Sequence, residues 1–416
     1  MPSAIVTGAT GIAGSAIVDQ LLKDPSYERI YSFSRRDPGY DDPKIKHVAL
    51  DLQGSVQEMV KSFKGISAEY IYFCAYLAPE APIELSRVNE KLLSNFLEAL
   101  ESTGAAKRIK RFILTCGFKQ YGVHIGPAEQ RLLEGDPLLE QSRRKVSWPP
   151  ISHYDQQRIL AHAAKRGGWE WVATLPENVL GYAPGNFMNE AMALGLYCVV
   201  SKILPGSELP FPGSKANYFT FNCWTSANLH AKFCLWAAKA PGAGNQIFNV
   251  MNGDTESFQN LWPRLASRFG CRIPDPMFPH GGTPGTQGFK AYDSSTIRLQ
   301  NIPLLKSAAA ALGLSADPIL ENPPTLFLQI DPEKWAKRAD VSTAWAILRN
   351  KYGLDQRAWE KATWSFLTTT LGRDWSCARK LGWTGYADTW EELEETFQVL
   401  EREGVLPPVD QLKADF

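Results

Sequence analysis

"SAIVTGATGIAGSAIVDQLL", residues 3–22, sets the architecture. A short β-branched, apolar run ends in Gly8, Gly11 and Gly14, spaced G-x-x-G-x-x-G, and passes directly into an amphipathic helical pattern. In such a strand–turn–helix the first glycine permits the tight turn and the second lets backbone N–H groups approach a pyrophosphate. The third lets the helix pack close to the sheet, with its positive end aimed at the anion. The position of the loop in a strand–turn–helix, beginning within ten residues of the N-terminus, points to dinucleotide binding.

Outward from this loop the alternation continues. Strand-like "RIYSFSR", "KHVALDL", "EYIYFCAY" and "RFILTCG" are separated by helical patterns such as "PIELSRVNEKLLSNFLEALEST". That rhythm implies βαβ units and an α/β fold of Rossmann type, a doubly wound parallel sheet with ligands at the carboxyl ends of its strands. "WEWVATLPENVLGY" and "NQIFNVMNG" read as two further strands. The expected division is an NADP-binding Rossmann domain over 1–185, completed by about 222–255, and a mainly helical substrate-binding or lid region over 186–221 and 256–416. The latter is rich in aromatics, which suits either a substrate-shaping surface or core packing. "FPHGGTPGTQG", 278–288, reads as a Gly/Pro-rich loop or lid.

Composition narrows the function. Of 416 residues, 44% are hydrophobic, and Lys+Arg and Asp+Glu both number 44, so nothing in the charge suggests a nucleic-acid partner. The seven cysteines form no C-x-x-C pair, favouring reduced thiols over a zinc or disulfide site; no metal is expected. The longest apolar stretch, "MALGLYCVVSKIL", is too short to span a bilayer, and the N-terminus has no basic flank of a signal peptide. A cytoplasmic protein acting on a small molecule is expected, with monomer and homodimer both open.

The second strand runs into "SFSRRDP", where an NAD-binding chain usually carries an acidic residue. Ser34, Arg35 and Arg36 stand there instead, and two guanidiniums suit a ribose 2′-phosphate through bidentate, charge-assisted hydrogen bonds. The expected cofactor is therefore NADPH. Asp51 in "LDLQ" lies at the third strand end, where such folds meet the adenine amino group.

For the chemistry, "SHYDQQR", 152–158, offers Tyr154 followed four places later by Arg158, where short-chain dehydrogenases carry lysine. A lysine does occur in "ILTCGFKQYG": Lys119, at the end of the fifth strand, 35 residues before Tyr154. A strand end and a helix can converge on one site across that separation.

Together "TGATGIAG", "LTCGFKQY", "HYDQQRIL", "PENVLGYAPGNFMN", "FNVMNGDTESFQNLWPRLASRFG" and "SCARKLGWTGYADTWEELEETFQVLEREGVLP" resemble the progesterone 5β-reductase/iridoid synthase-like (PRISE) family of atypical extended short-chain dehydrogenases. The likeness runs from about residue 3 to about 410 and is poor over 275–330. It implies that Lys119 takes the place of the lysine in the family's T-G-x-K-x-Y stretch and Tyr154 that of the second tyrosine in N-F-Y-Y. It also implies a cofactor lining of Gly8, Thr10, Gly11, Ile12, Gly14, Ser34, Arg35, Arg36, Asp51, Leu52, Ala75, Tyr76, Thr115, Val179, Asn186, Phe187 and Met188. Asn178 in "PENVLG" is a further candidate polar contact. The chain departs from the family at Ile151, Ser152 and His153, which replace Asn-Phe-Tyr. His153 is a candidate substrate contact, proton shuttle or packing residue, and Tyr121 a second candidate substrate contact.

The resemblance implies hydride transfer from NADPH to the β-carbon of a 1,4-enone on a bulky apolar molecule. Tyr154 would meet the developing oxyanion and Lys119 the nicotinamide ribose. Ketone reduction by the same apparatus, a non-redox cyclase or isomerase, and a cofactor-sensing regulator are the alternatives.

Overall fold

The computed structural model describes residues 1–79, 81–123, 131–136, 138, 150–278, 297–298, 319–320, 328–371, 376–377 and 384–416. The stretch read as a loop or lid, 278–288, lies outside them except for Phe278.

Seven strands form one sheet: β1 (Ser3–Thr7), β2 (Arg29–Ser34), β3 (Ile45–Ala49), β4 (Tyr70–Phe73), β5 (Arg111–Thr115), β6 (Glu170–Pro176) and β7 (Gln246–Val250). Their order is β7-β6-β5-β4-β1-β2-β3 and every pairing is parallel. The order therefore reverses between β1 and β4, and a crevice opens at their carboxyl ends, where such sheets take their ligands. Thr7 pairs with Phe33 on one side and Phe73 on the other, so Gly8, Ser34 and Cys74 leave the sheet at one level.

Both faces are covered, as a parallel sheet requires. Helices α1 (Ile12–Lys23), α2 (Val56–Ser62), α3 (Pro82–Thr103), α4 (Ser152–Gly167), α5 (Glu190–Ile203) and α6 (Ala227–Lys239) follow in chain order. On one face Ile17, Val18 and Leu21 of α1 pack with Ala231, Phe233 and Cys234 of α6. On the other, Met59 of α2, Leu93 and Phe96 of α3 and Leu160 of α4 share a core with Phe33, Phe73 and Phe112 of the strands. The Phe96 ring lies 5.4 Å from both Phe63 and Phe73 in edge contacts, a geometry that adds about 0.5–1.5 kcal/mol per pair beyond area burial.

A third core belongs to the helices that follow. The apolar stretch of α5 is buried on nearly all sides by α7 (Phe258–Phe269), α8 (Ala339–Tyr352), α9 (Lys361–Leu371) and α10 (Thr389–Arg402). Trp262, Trp335, Trp345 and Trp364 are all buried in it, and Trp345 stacks on Trp359 at 4.8 Å. Of the two readings open for these aromatics, core packing is the one they realise. Arg268 of α7, itself buried, bridges Glu394 and Glu401 of α10 at 2.7 and 2.8 Å. Among the described residues no helix is long and apolar enough to cross a membrane.

Behind the sheet, the Thr174 hydroxyl of β6 and His230 Nε2 of α6 lie 2.9 Å apart in a fully buried contact. Burial holds His230 neutral, moving its pKa from 6.5 to about 4. Between these values the unfolded chain binds a proton that the folded chain refuses, so stability rises with pH across that window. The urea midpoint should therefore fall as pH drops from 6.5 toward 4. A midpoint that stays flat would remove His230 as a buried neutral base.

Candidate active site

The glycine loop is built to take an anion. Gly8 has φ +66°, and a Cβ there would lie 3.0 Å from the backbone of Cys74 and Ala75 on the neighbouring strand exit. At Gly14 a Cβ would come within 2.1 Å of the Gly8 carbonyl oxygen, so helix and turn can approach this closely with glycine alone. Gly11 caps α1 without a side-chain oxygen, and the first turn carries no carboxylate. Its N–H groups and the positive helix end thus face the crevice without an acidic competitor. Thr10 is exposed beside it and Ile12 buried beneath.

At the end of β2, Arg35 and Arg36 are exposed. The Ser34 hydroxyl turns inward and donates to the Arg36 carbonyl at 2.6 Å, making it a brace of the arginine turn. The Asp37 carboxylate accepts the Gly39 N–H at 2.9 Å, an Asx turn that draws this acid into its own loop. Asp51 is exposed and accepts from the Gln53 N–H, with half-buried Leu52 between them. These residues fit a dinucleotide: a close-approach cradle for the pyrophosphate, with two solvent-facing guanidiniums at the end of β2.

Further along the sheet edge, Thr115 ends β5 with its hydroxyl 3.4 Å from Cys74 Sγ. A 3₁₀ turn, Phe118–Tyr121, follows and carries Lys119. Helix α4 grips this turn from outside: the Tyr154 hydroxyl donates to the Gln120 carbonyl at 2.5 Å, and Gln157 Nε2 donates to Gln120 Oε1 at 2.8 Å. Residues three apart on a helix share a face, so the two contacts act as a clamp. Tyr154 is 1% exposed, and its helix lies against the lysine's turn. Lys119 Nζ donates to the Tyr76 hydroxyl at 3.3 Å, and burial raises the Tyr76 phenol to about 12. The backbone beside Tyr76 is held in turn by Asn89 of α3, which pairs with both the N–H and the carbonyl of Leu77 at 3.0 and 2.8 Å.

His153, next to Tyr154, points toward the same place. Its Nε2 lies 3.8 Å from where a Cβ on Gly117 would sit, at the exit of β5. Desolvation first and the Lys119 charge second lower its pKa from 6.5 to about 4, with the Gln156 side chain acting in the opposite sense. Tyr121 reaches instead across to β7, donating to Asn249 Oδ1 at 2.7 Å. Val179 lies in a two-residue strand paired with Thr225. Asn178 holds a left-handed φ of 30°, which asparagine tolerates better than most residues. Asn186 Oδ1 accepts the Met188 N–H, shaping the half-buried 186–188 turn that includes Phe187. Arg158 pairs with Asp155 on the exposed face of α4, away from the lysine's role.

Sequence reasoning missed Gln120, Gln157 and Asn89. Their roles come from contacts 12 to 37 residues apart, and an isolated Gln or Asn carries no local pattern. The available signal was the i, i+3 spacing of Gln157 from Tyr154.

Comparisons with known proteins agree with this fold. The model of the PRISE-like Rossmann-fold domain matches residues 45–288. An uncharacterized protein of Schizosaccharomyces pombe is 32% identical over 97% of this chain and 98% of its own length. The short chain dehydrogenase gsfE of Penicillium aethiopicum is 26% identical over 97% and 99%, respectively. An (S)-8-oxocitronellyl enol synthase of Nepeta racemosa is 27% identical over 64% of this chain and 69% of that one.

The clamp carries a measurable stability. Tyr154→Phe leaves the buried Gln120 carbonyl without this donor and should cost about 1–3 kcal/mol, the usual penalty of an unsatisfied buried group. Urea denaturation of the variant checks this, and an unchanged midpoint would mean the hydroxyl holds nothing in place.

Proposed function

The chain belongs to the PRISE-like Rossmann-fold family, and from that membership we propose that it is an NADPH-dependent reductase transferring hydride to the β-carbon of an α,β-unsaturated carbonyl on an apolar small molecule. The observation that carries this reading is the convergence of α4, through Tyr154 and His153, on the Lys119 turn at the carboxyl end of β5. The exposed Arg35 and Arg36 support NADPH over NADH. The enol synthase named among the relatives supports an enol-type product of the hydride step.

NADPH, when bound, supplies the hydride; the protein supplies binding, orientation and charge. Gly8, Gly11 and Gly14 hold the pyrophosphate, and Arg35 and Arg36 the 2′-phosphate. Lys119 holds the ribose near the reacting centre and, as a cation in a half-buried turn, stabilises negative charge there. When hydride reaches the β-carbon, the carbonyl oxygen of the substrate becomes an enolate oxygen. Tyr154 meets that oxygen by exchanging its Gln120 acceptor for the substrate, and the stronger bond to the charged oxygen offsets the release of the Gln120 carbonyl. A preorganised donor in a water-poor site is worth most at this stage. Ketone reduction uses the same residues with hydride delivered to the carbonyl carbon.

The test is consumption of NADPH, in parallel with NADH, against small cyclic and linear enones and saturated ketones, with products identified by mass and NMR. A saturated ketone from an enone is the expected product; an alcohol as the main product would make the protein a ketoreductase. Lys119→Ala should lower kcat/KM by about 10²–10⁴-fold, the range for loss of a positioned acid–base group. Replacing Arg35 and Arg36 with alanine should raise KM for NADPH by about ten- to a hundredfold, the worth of charge-assisted hydrogen bonds, and leave NADH use unchanged. Equal losses with both cofactors would remove the 2′-phosphate role.

A further inference from the structure

We propose that His153 donates a hydrogen bond to the substrate's carbonyl oxygen, forming with Tyr154 a two-donor oxyanion site in which imidazole replaces the tyrosine this family carries at that position. The inference rests on the reductase reading of the same site and extends it to a residue specific to this chain.

Three observations place the donor. His153 is 5% exposed, and its Nδ1 has no partner of hydrogen-bond geometry among the described residues, although the Gln156 side chain lies close enough to favour the protonated ring. A buried polar atom left in this state carries a desolvation penalty that a bound acceptor or donor would recover. The ring is also directed toward the strand exits: its Nε2 lies next to Gly117, and the Pro176 carbonyl that ends β6 borders the same spot, 3.6 Å from where a Gly117 Cβ would be. Finally, burial first and the nearby Lys119 second disfavour a second proton on this ring in the first turn of α4. The neutral ring therefore presents one N–H and one lone pair. Tyr154 supplies the second donor by exchanging its Gln120 acceptor for the substrate oxygen.

The group bound is an oxygen that gains negative charge, as in an enone or ketone during reduction. His153 forms no covalent bond and transfers no proton in this scheme; its N–H shortens its contact as charge grows on the oxygen.

The probe is 4-nitrophenolate, a stable oxyanion, titrated by absorbance into the protein loaded with NADP+. Wild type should bind it. His153→Leu should weaken binding by about ten- to a hundredfold, as for loss of one hydrogen bond to a charged acceptor. His153→Gln, which keeps an N–H donor, should recover part of that loss, and the affinity for NADP+ itself should not change. In wild-type protein with ¹⁵N-labelled histidine, the ring N–H signal absent from the Gln variant should move downfield on phenolate binding, a readout that survives if the Leu variant does not fold. Unchanged phenolate affinity in His153→Leu, an unmoved N–H signal, or no phenolate binding by wild type would overturn the proposal. If phenolate binding depends on His153 while no enone or ketone consumes NADPH, the oxyanion site stands and the reductase reading falls. If enones are reduced and His153→Leu binds phenolate as wild type does, the reverse holds.

Discussion

The grip of α4 on the turn after β5 is the constraint from which the site follows. A parallel sheet can bring strand ends to one edge, but it cannot by itself hold a lysine-bearing turn against a helix that follows 34 residues later. That is done by a tyrosine hydroxyl and a glutamine amide closing on Gln120 from one helix face. Because both contacts are buried, each leaves an unsatisfied polar group behind when broken, so the clamp resists small displacements more than its few atoms suggest. Asn89 applies the same device to the loop after β4, and the two loops meet where Lys119 reaches Tyr76.

The fold was readable because its signals are local. Glycine spacing, short β-rich runs and helical periodicity each arise from backbone constraints within a few residues, and they located all seven strands of the sheet. The place of Lys119 after the fifth strand was readable in the same way, while its role came through resemblance. Tyr154 was legible through resemblance, since its spacing from Arg158 pointed to a pair that the structure does not form. Gln120, Gln157 and Asn89 were not legible, because a single amide acquires meaning through partners far away in sequence. The tryptophans of the C-terminal half show the same limit in another form. Their abundance was compatible with a substrate surface or a core, and burial around α5 decided it.

Charge and burial together narrow the chemistry further. His153 and Tyr76 border Lys119, and burial keeps both neutral near pH 7, the imidazole at about 4 and the phenol at about 12. A lysine among neutral dipoles in a half-buried site acts over a longer distance than in water, since the effective dielectric is lower. In the proposed reaction it would therefore favour an enolate oxygen without needing to touch it. Neutral donors have a second merit: they offer N–H and O–H groups to an oxyanion without forming a stable ion pair that would bind the product too tightly.

Such an arrangement leaves the choice between C=C and C=O reduction to geometry. The oxyanion forms on the same atom in both reactions, so the donors fix where the oxygen sits, while the reacting carbon is set by how the rest of the substrate extends from that anchor. An imidazole is shorter than a phenol. In the proposed site His153 therefore anchors that oxygen close to α4, beside Gly117, where a side chain is lacking. A His153 donor of this kind would also set substrate position, so stereochemistry and carbon selectivity should follow from it together.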